Sequence, residues 1–247
     1  MKKTCVILLA LLLALPLLAQ KRKVQNRPYI DLRPVHFGIS IGLNLQDVEI
    51  DNVGPTTITL ADGTETPVSY VCDADIWNPG FSVGVLADLR LGQHFSLRVA
   101  PTMHFGSKRL LFRNLLIPAD SDKPATATQD LKNTYLSVPV DLKFYAQRFN
   151  NYRPYMLAGV SPMLNLAGKE QSAVQLKHFD TMVEVGMGCD FYLPFFKLIP
   201  ELKFCYSLTN SIDRDHLGEL RNADLKGMGS SISGAHTKMV VLTLYFE

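Results

Sequence analysis

Few residues of this chain are of the right type and close enough to act on a substrate together. In the run QHFSL, His94 and Ser96 flank Phe95, so an extended strand would put an imidazole and a hydroxyl on one face, as a general base and its nucleophile require. No acid that would orient His94 can be placed from the sequence, and a histidine and a serine this close arise easily by chance. Asp190 and Glu201 could divide acid and base duties, although nearby Lys203 argues for charge balancing. Beyond Cys5 of the leader the cysteines are Cys72, Cys189 and Cys205, an odd number that closes no disulfide framework. Cys189 and Cys205 fall on opposite faces of neighbouring strands, and no Cys or His pair has zinc-ligand spacing. The glycines lack the strand–turn–helix context of a nucleotide site. No catalytic, cofactor-binding or metal-binding residue is therefore assigned.

The elements that carry these residues read as long two-faced strands. In TYLSVPVDLKFY (134–145), Leu136, Val138, Val140, Leu142 and Phe144 share one face, opposite Tyr135, Ser137, Pro139, Asp141, Lys143 and Tyr145. The alternation recurs in HFGISIGLN (36–44), GFSVGVLADLRL (80–91), FSLRVAPTMHFG (95–106), YRPYMLAGVSPMLNL (152–166), FDTMVEVGMGCDFYL (179–193), LIPELKFCYSL (198–208) and TKMVVLTLYFE (237–247). Such strands exceed the roughly 5–6 residues usual in globular sheets and suit the ~9–11 that a tilted strand needs to cross hydrocarbon.

The connections alternate long and short along the chain, the long ones at 45–79, 107–133, 167–178 and 209–236. That pattern predicts an all-β, eight-stranded antiparallel up-and-down transmembrane barrel over residues 36–247, with tight periplasmic turns and extended loops outside. Aromatic residues gather at the short-turn rim: Phe37, Phe95, Phe144, Tyr145, Phe149, Tyr152, Tyr192, Phe195, Phe196, Tyr245 and Phe246. The continuous bulky face must then look into lipid.

Inside, the other face would hold Asp88, Arg90, Arg98, Asp141, Lys143, Glu184, Asp190, Glu201 and Lys203. Charges in a narrow lumen must be paired or hydrated, so this set reads as a structural plug of salt bridges. If the turn Gly92-Gln93-His94 is symmetric, Asp88 faces Arg98 across the hairpin. An eight-stranded interior is only wide enough for side chains, so no folded protein passes through it.

Ahead of the barrel, MKKTCVILLALLLALPLLAQ reads as a signal peptide over residues 1–19, cut between Ala19 and Gln20. Without Lys2 and Lys3, the 25 basic residues become 23 against 23 acidic ones. A neutral exported chain is no nucleic-acid binder. Residues 20–35, which include QKRKVQNRPYIDLRP, form a basic periplasmic arm expected to be flexible, and either touch anionic headgroups or a partner or are merely a solvated tail. Among the loops, 45–79 holds Trp77, the only tryptophan, and 107–133 holds KRLLFRNLLIP, which is too apolar for an idle loop and either folds over the mouth or docks on a partner.

The strand pair YLSVPVDLKF (135–144) and RPYMLAGVSP (153–162) resembles that of the PorT-like outer-membrane β-barrels: a proline within the first strand, then an Arg-Pro-Tyr opening and a glycine in the second. The similarity covers roughly residues 37 to 247. It implies a non-enzymatic component, without cofactors, of the type IX secretion system, sitting in the outer membrane of a Gram-negative bacterium with both termini periplasmic. Its partners would be outer-membrane lipid and other secretion-system proteins, met through loops 45–79, 107–133 and 209–236 or the arm 20–35. The alternative is a free-standing structural barrel or narrow pore. Glu247, following Phe246, departs from the terminal aromatic that often ends outer-membrane barrels.

Overall fold

The computed structural model describes residues 25–59, 63–74, 77–117, 126–167, 173–213 and 222–247. The leader, the proposed cleavage pair Ala19–Gln20 and the arm up to residue 24 lie outside them. Among the described residues thirteen strands follow one another: β1 (Val35–Asn52), β2 (Thr56–Thr59), β3 (Glu65–Val68), β4 (Tyr70–Ala74), β5 (Asn78–Arg90), β6 (Phe95–Val99), β7 (Thr102–Asn114), β8 (Thr126–Ser137), β9 (Val140–Tyr145), β10 (Tyr152–Asn165), β11 (Phe179–Tyr192), β12 (Lys197–Ser207) and β13 (Ile232–Phe246). One helix, α1 (Ala223–Ser230), precedes β13, its first turn capped by the Asn222 side chain accepting from the Asp224 N–H at 2.9 Å.

Two of the breaks are local. Pro101 separates β6 from β7 and Pro139 separates β8 from β9, because proline has no N–H to give the ladder. The pairing crosses both breaks in one register, Val99 facing Val140 and Thr102 facing Ser137. Counting β6–β7 and β8–β9 each as one wall strand, eight antiparallel strands close a ring in which β13 returns to β1. The predicted barrel is what forms.

Period-two alternation then sorts the side chains. On β1, Phe37, Ile39, Ile41 and Leu43 are exposed outward, while Ser40, Asn44 and Gln46 are buried inside. Past Leu45 the outward residues become Asp47, Glu49 and Asp51, so the apolar band of the wall ends there. Two pairs of outward charges stand at that level, Lys238 with Glu49 and Arg109 with Asp130, each at 2.8 Å.

Beyond the band the strands run further than their alternation predicts. Residues 45–52, 107–114, 126–133 and 232–236, read from the sequence as loop, are strand. Once the wall leaves hydrocarbon its outer face needs no apolar residues, so the pattern that marks the strands fades while the ladder continues. In the remaining loop, β2 pairs β3 and β4 pairs β7 above the end of β5. The free side of β4 is closed by Asn52, whose amide donates to the Cys72 carbonyl at 2.9 Å and accepts from its N–H at 2.8 Å.

These extensions enclose an apolar cluster of Val48, Tyr70, Cys72, Leu110, Phe112, Val174, Ile212, Ile232 and Ala235. The first half of KRLLFRNLLIP therefore packs over the mouth, with Leu110 and Phe112 buried, whereas Leu115 and Leu116 remain exposed. The aromatic rim also needs a correction. Phe37, Phe95, Phe144, Phe149, Tyr152, Phe195 and Phe196 are exposed there, but Tyr145, Tyr192 and Tyr245 are buried, because alternation turns each of them into the lumen.

Candidate functional site

The chemistry-bearing side chains converge inside the ring, and they lie in tiers. At the short-turn end the chain itself covers the opening. Residues 25–34 cross the mouth as a strap, with a single 3-10 turn at Ile30–Leu32 that buries Ile30. Asn26 takes the Asn151 side chain through its N–H at 2.8 Å and gives its amide to the Tyr192 carbonyl at 2.9 Å. Arg148 binds Asp31 at 3.2 Å and stacks over the Tyr192 ring at 3.5 Å, while the Tyr192 hydroxyl donates to Asp31 at 2.7 Å. The arm is thus anchored, not flexible, from residue 25 onward, because Asp31 supplies a carboxylate that Arg148 and Tyr192 hold together.

Replacing Arg148 by alanine removes the ion pair, the stacking and two carbonyl contacts, to Arg27 and Asn26. We expect the strap to loosen by on the order of 1–3 kcal/mol, since both partners are half-buried. Limited chymotrypsin digestion should then cut after Tyr29 or Leu32 sooner than in the wild type, with the heat-modifiable mobility of the folded barrel retained.

Just inside the strap, Lys197 joins Asp190 at 3.2 Å and Glu247 at 2.7 Å, and Glu247 also contacts the His36 ring. Burial alone would raise the Glu247 pKa, but the His36 hydrogen bond and the Lys197 charge prevail and lower it from 4.5 to about 2. A carboxylate held below its unfolded value contributes stability that is present above about 4.5 and lost as pH falls towards 2. Unfolding measured against pH should therefore show wild type more stable than Glu247→Gln near neutrality, the gap closing over that acidic window.

The next tier is the predicted plug. Arg98 Nη1 meets Glu201 at 2.6 Å and Nε meets Asp88 at 3.4 Å; Lys143 shares Asp88 at 3.2 Å; Lys203 meets Glu184 at 2.8 Å and Asp141 at 3.5 Å. Asp88 and Arg98 are cross-strand partners as the turn symmetry predicts. Tyrosines fill between the charges. The Tyr155 hydroxyl donates to Glu201, Arg98 lies 4.6 Å from the Tyr245 ring, and Lys143 lies 3.9 Å from that of Tyr155. The lumen is crowded enough here that a Cβ on Gly159 would collide with the Val140 carbonyl and with Asp141.

Arg90 is the exception among the nine predicted residues. As the last residue of β5 it sits at the mouth, where its Nε donates to the Gly92 carbonyl at 3.2 Å and its Nη1 to that of Leu32 at 3.4 Å. Alternation points it inward, but at a level where the lumen has already opened into the turn.

Above the plug come residues that strand reading passed over. Met163, Met182 and Met239 pack with Cys205, Tyr135 and Val241 into an apolar tier, so the interior is layered and not uniformly polar. Higher still, Lys108 donates to the Tyr135 hydroxyl at 2.9 Å and to Thr237 at 2.8 Å, and the Asp180 carboxylate accepts from Ser207, Thr209 and Ser211. Their parity on strands extended by a few residues would have placed Lys108, Lys197 and Thr237 inside.

The arrangement bears on the chemistry considered from sequence. His94 lies exposed in the turn before β6, its Nδ1 at 3.0 Å from the Tyr145 carbonyl, while Ser96 is buried in the wall, so the two do not form a dyad. Asp190 and Glu201 are each tied to a cation. A different imidazole, His104, sits between Ser82 at 2.8 Å and Ser137 at 3.1 Å, wholly enclosed in the lumen. Cys72, Cys189 and Cys205 are free thiols, Cys205 in the lumen and Cys189 on the outer wall. Among the described residues no cluster of His, Cys, Asp or Glu is arranged to hold a metal. What the tiers do is fill the cross-section with paired charges and apolar side chains.

No curated protein matches the chain. Among solved structures it is similar to Neisserial surface protein A, at 12% identity and a TM-score of 0.40, with 86% of this chain and 98% of that one covered. The Ail attachment invasion locus protein of Yersinia pestis is also similar, in complex with the heparin analogue sucrose octasulfate (14% identity, TM-score 0.35, covering 87% and 99%) and alone (13%, 0.34, covering 85% and 96%). The model of the outer membrane protein beta-barrel domain matches residues 18–213, most of the chain and seven of the wall's eight strands. The protein belongs to that outer-membrane β-barrel family.

Proposed function

We propose that this barrel is a non-enzymatic accessory of protein export through the type IX secretion system, with its short turns and both ends of the mature chain in the periplasm. The observation that carries its role as an accessory, and not a conduit, is the Arg98-centred plug, closed below by the strap and above by the apolar head. A lumen filled with mutually paired charges has no path for a polypeptide. The strand pair 135–144 and 153–162, with its PorT-like pattern, supports the assignment to export. Action then passes through surfaces: the head built from 45–79, 107–133 and 209–236, or the arm at 20–35.

A strain lacking the gene tests the proposal by fractionation of its secreted proteins. Cargo trapped in the periplasm is the expected result, and a plasmid copy should restore export. Normal export would refute the secretion role and favour a free-standing structural barrel or narrow pore.

A further inference from the structure

Outward charges at the long-loop rim include the pairs Lys238–Glu49 and Arg109–Asp130. At the short-turn rim, Arg33, Arg90 and Arg153 have no carboxylate partner among the described residues. Arg90 and Arg153 line one small cleft of about 30 Å³, together with Gly92, Gln93, Phe95 and Tyr145. Three carboxylates also reach this cleft, but each is taken by another cation: Asp31 by Arg148, Asp88 by Lys143 and Arg98, Asp190 by Lys197. His36, which lines it too, contacts Glu247. The positive charge of the two arginines is therefore left over.

Their donors are not exhausted either. A guanidinium carries five N–H groups. Arg90 spends its on the Gly92 and Leu32 carbonyls, and Arg153 on those of Ala146 and Gln93. Arg33 is exposed next to Pro34, whose carbonyl accepts from the Arg90 N–H at 2.8 Å, so a third cation stands beside the cleft. Phe95, in the cleft wall, is also the first residue of β6 and faces outward, which sets the opening at the edge of the apolar band. Around the same rim Tyr29, Leu32 and Phe195 project with most of their surface exposed.

We infer that this cleft binds the phosphate of an anionic membrane phospholipid, held between Arg90 and Arg153 with Arg33 beside it, its acyl chains lying along the wall by Phe95. Guanidinium groups suit phosphate because their planar donors meet its oxygens in pairs. The exposed apolar residues at the same level assign the phosphate to a lipid: a soluble anion would gain nothing from Phe95, Tyr29 or Leu32, whereas aromatic and basic residues together are the usual anchors at a headgroup layer.

The test uses the folded barrel in nanodiscs of phosphatidylethanolamine alone or mixed with phosphatidylglycerol, followed by native mass spectrometry of the lipids retained after extraction. Wild type should retain phosphatidylglycerol preferentially, and Arg90→Gln/Arg153→Gln should lower that preference by about fivefold per arginine at low salt. The heat-modifiable gel shift reports whether the double variant still folds. Arg33→Gln removes an exposed side chain with no ion-pair partner among the described residues, so a smaller loss of the same preference in that variant is expected even if the double variant fails. Equal retention of the two lipids by wild type, or a preference unchanged in the variants, overturns the inference. Inorganic phosphate binding equally well without lipid would make it a soluble-anion site and overturn the membrane assignment.

Discussion

Arg98→Leu should lose about 3–5 kcal/mol of barrel stability, the largest effect of any single lumen substitution. Arg98 is fully buried and binds two carboxylates, Asp88 and Glu201. Its removal leaves Asp88 with Lys143, but it strips Glu201 of its only cation within ion-pair distance among the described residues. The penalty is the burial of an uncompensated charge, not the loss of an attractive contact. The second half of the expectation follows from that distinction. Arg98→Leu/Glu201→Leu should recover much of the loss, because replacing a whole buried pair by apolar residues is often near neutral. Urea titration of the barrel in lipid vesicles, read by the heat-modifiable shift, measures both. Arg109→Ala serves as the contrast: its pair with Asp130 is exposed and screened by water, so its removal should barely change stability. If Arg98→Leu proved as mild as Arg109→Ala, water and not the protein would be compensating the lumen charges.

Phe112→Ala should cost a similar amount, about 3–5 kcal/mol for a buried aromatic, but in a different place. Phe112 packs among Tyr70, Cys72, Leu110 and their neighbours above the apolar band. The tyrosine-rich cluster around the plug shares none of those residues. The head should therefore open locally, exposing the segments 53–59 and 222–231 to protease, while the membrane-spanning part keeps its gel shift. Loss of the whole barrel would show instead that head and wall fold as one cooperative unit. A head-specific variant also separates the surfaces invoked for export: cargo secretion that survives Phe112→Ala would direct attention to the arm.

Where the sequence succeeded, two neighbouring residues already faced opposite solvents. Leu142 and Lys143, or Phe204 and Lys203, differ so much in hydration that the alternation alone specifies which goes to lipid and which inside, and hence the eight strands, their order of long and short connections and eight of the nine plug residues. Arg90 shares the parity of the plug but lies at the mouth, because parity reports direction and not depth. The extended ends of β1, β7, β8 and β13 were missed because the outer face becomes polar beyond Leu45 and Phe105, and two faces of like character carry no alternation. Inward tyrosines such as Tyr145 and Tyr245 look like rim aromatics in the sequence because a phenol ring suits both a headgroup layer and a cation in the lumen.

The sequence by itself thus determined a closed antiparallel barrel with an apolar outside and a charged interior, because those follow from the hydration of successive residues. Beyond Asp88 and Arg98, which face each other across one hairpin, only the tertiary structure decided which charge meets which. The pairing of Arg98 with Glu201, of Lys197 with Glu247 and of Arg148 with the strap's Asp31 joins residues more than forty positions apart. Such partners are brought together by the closure of the ring, and no local pattern records the register with which distant strands meet across its lumen.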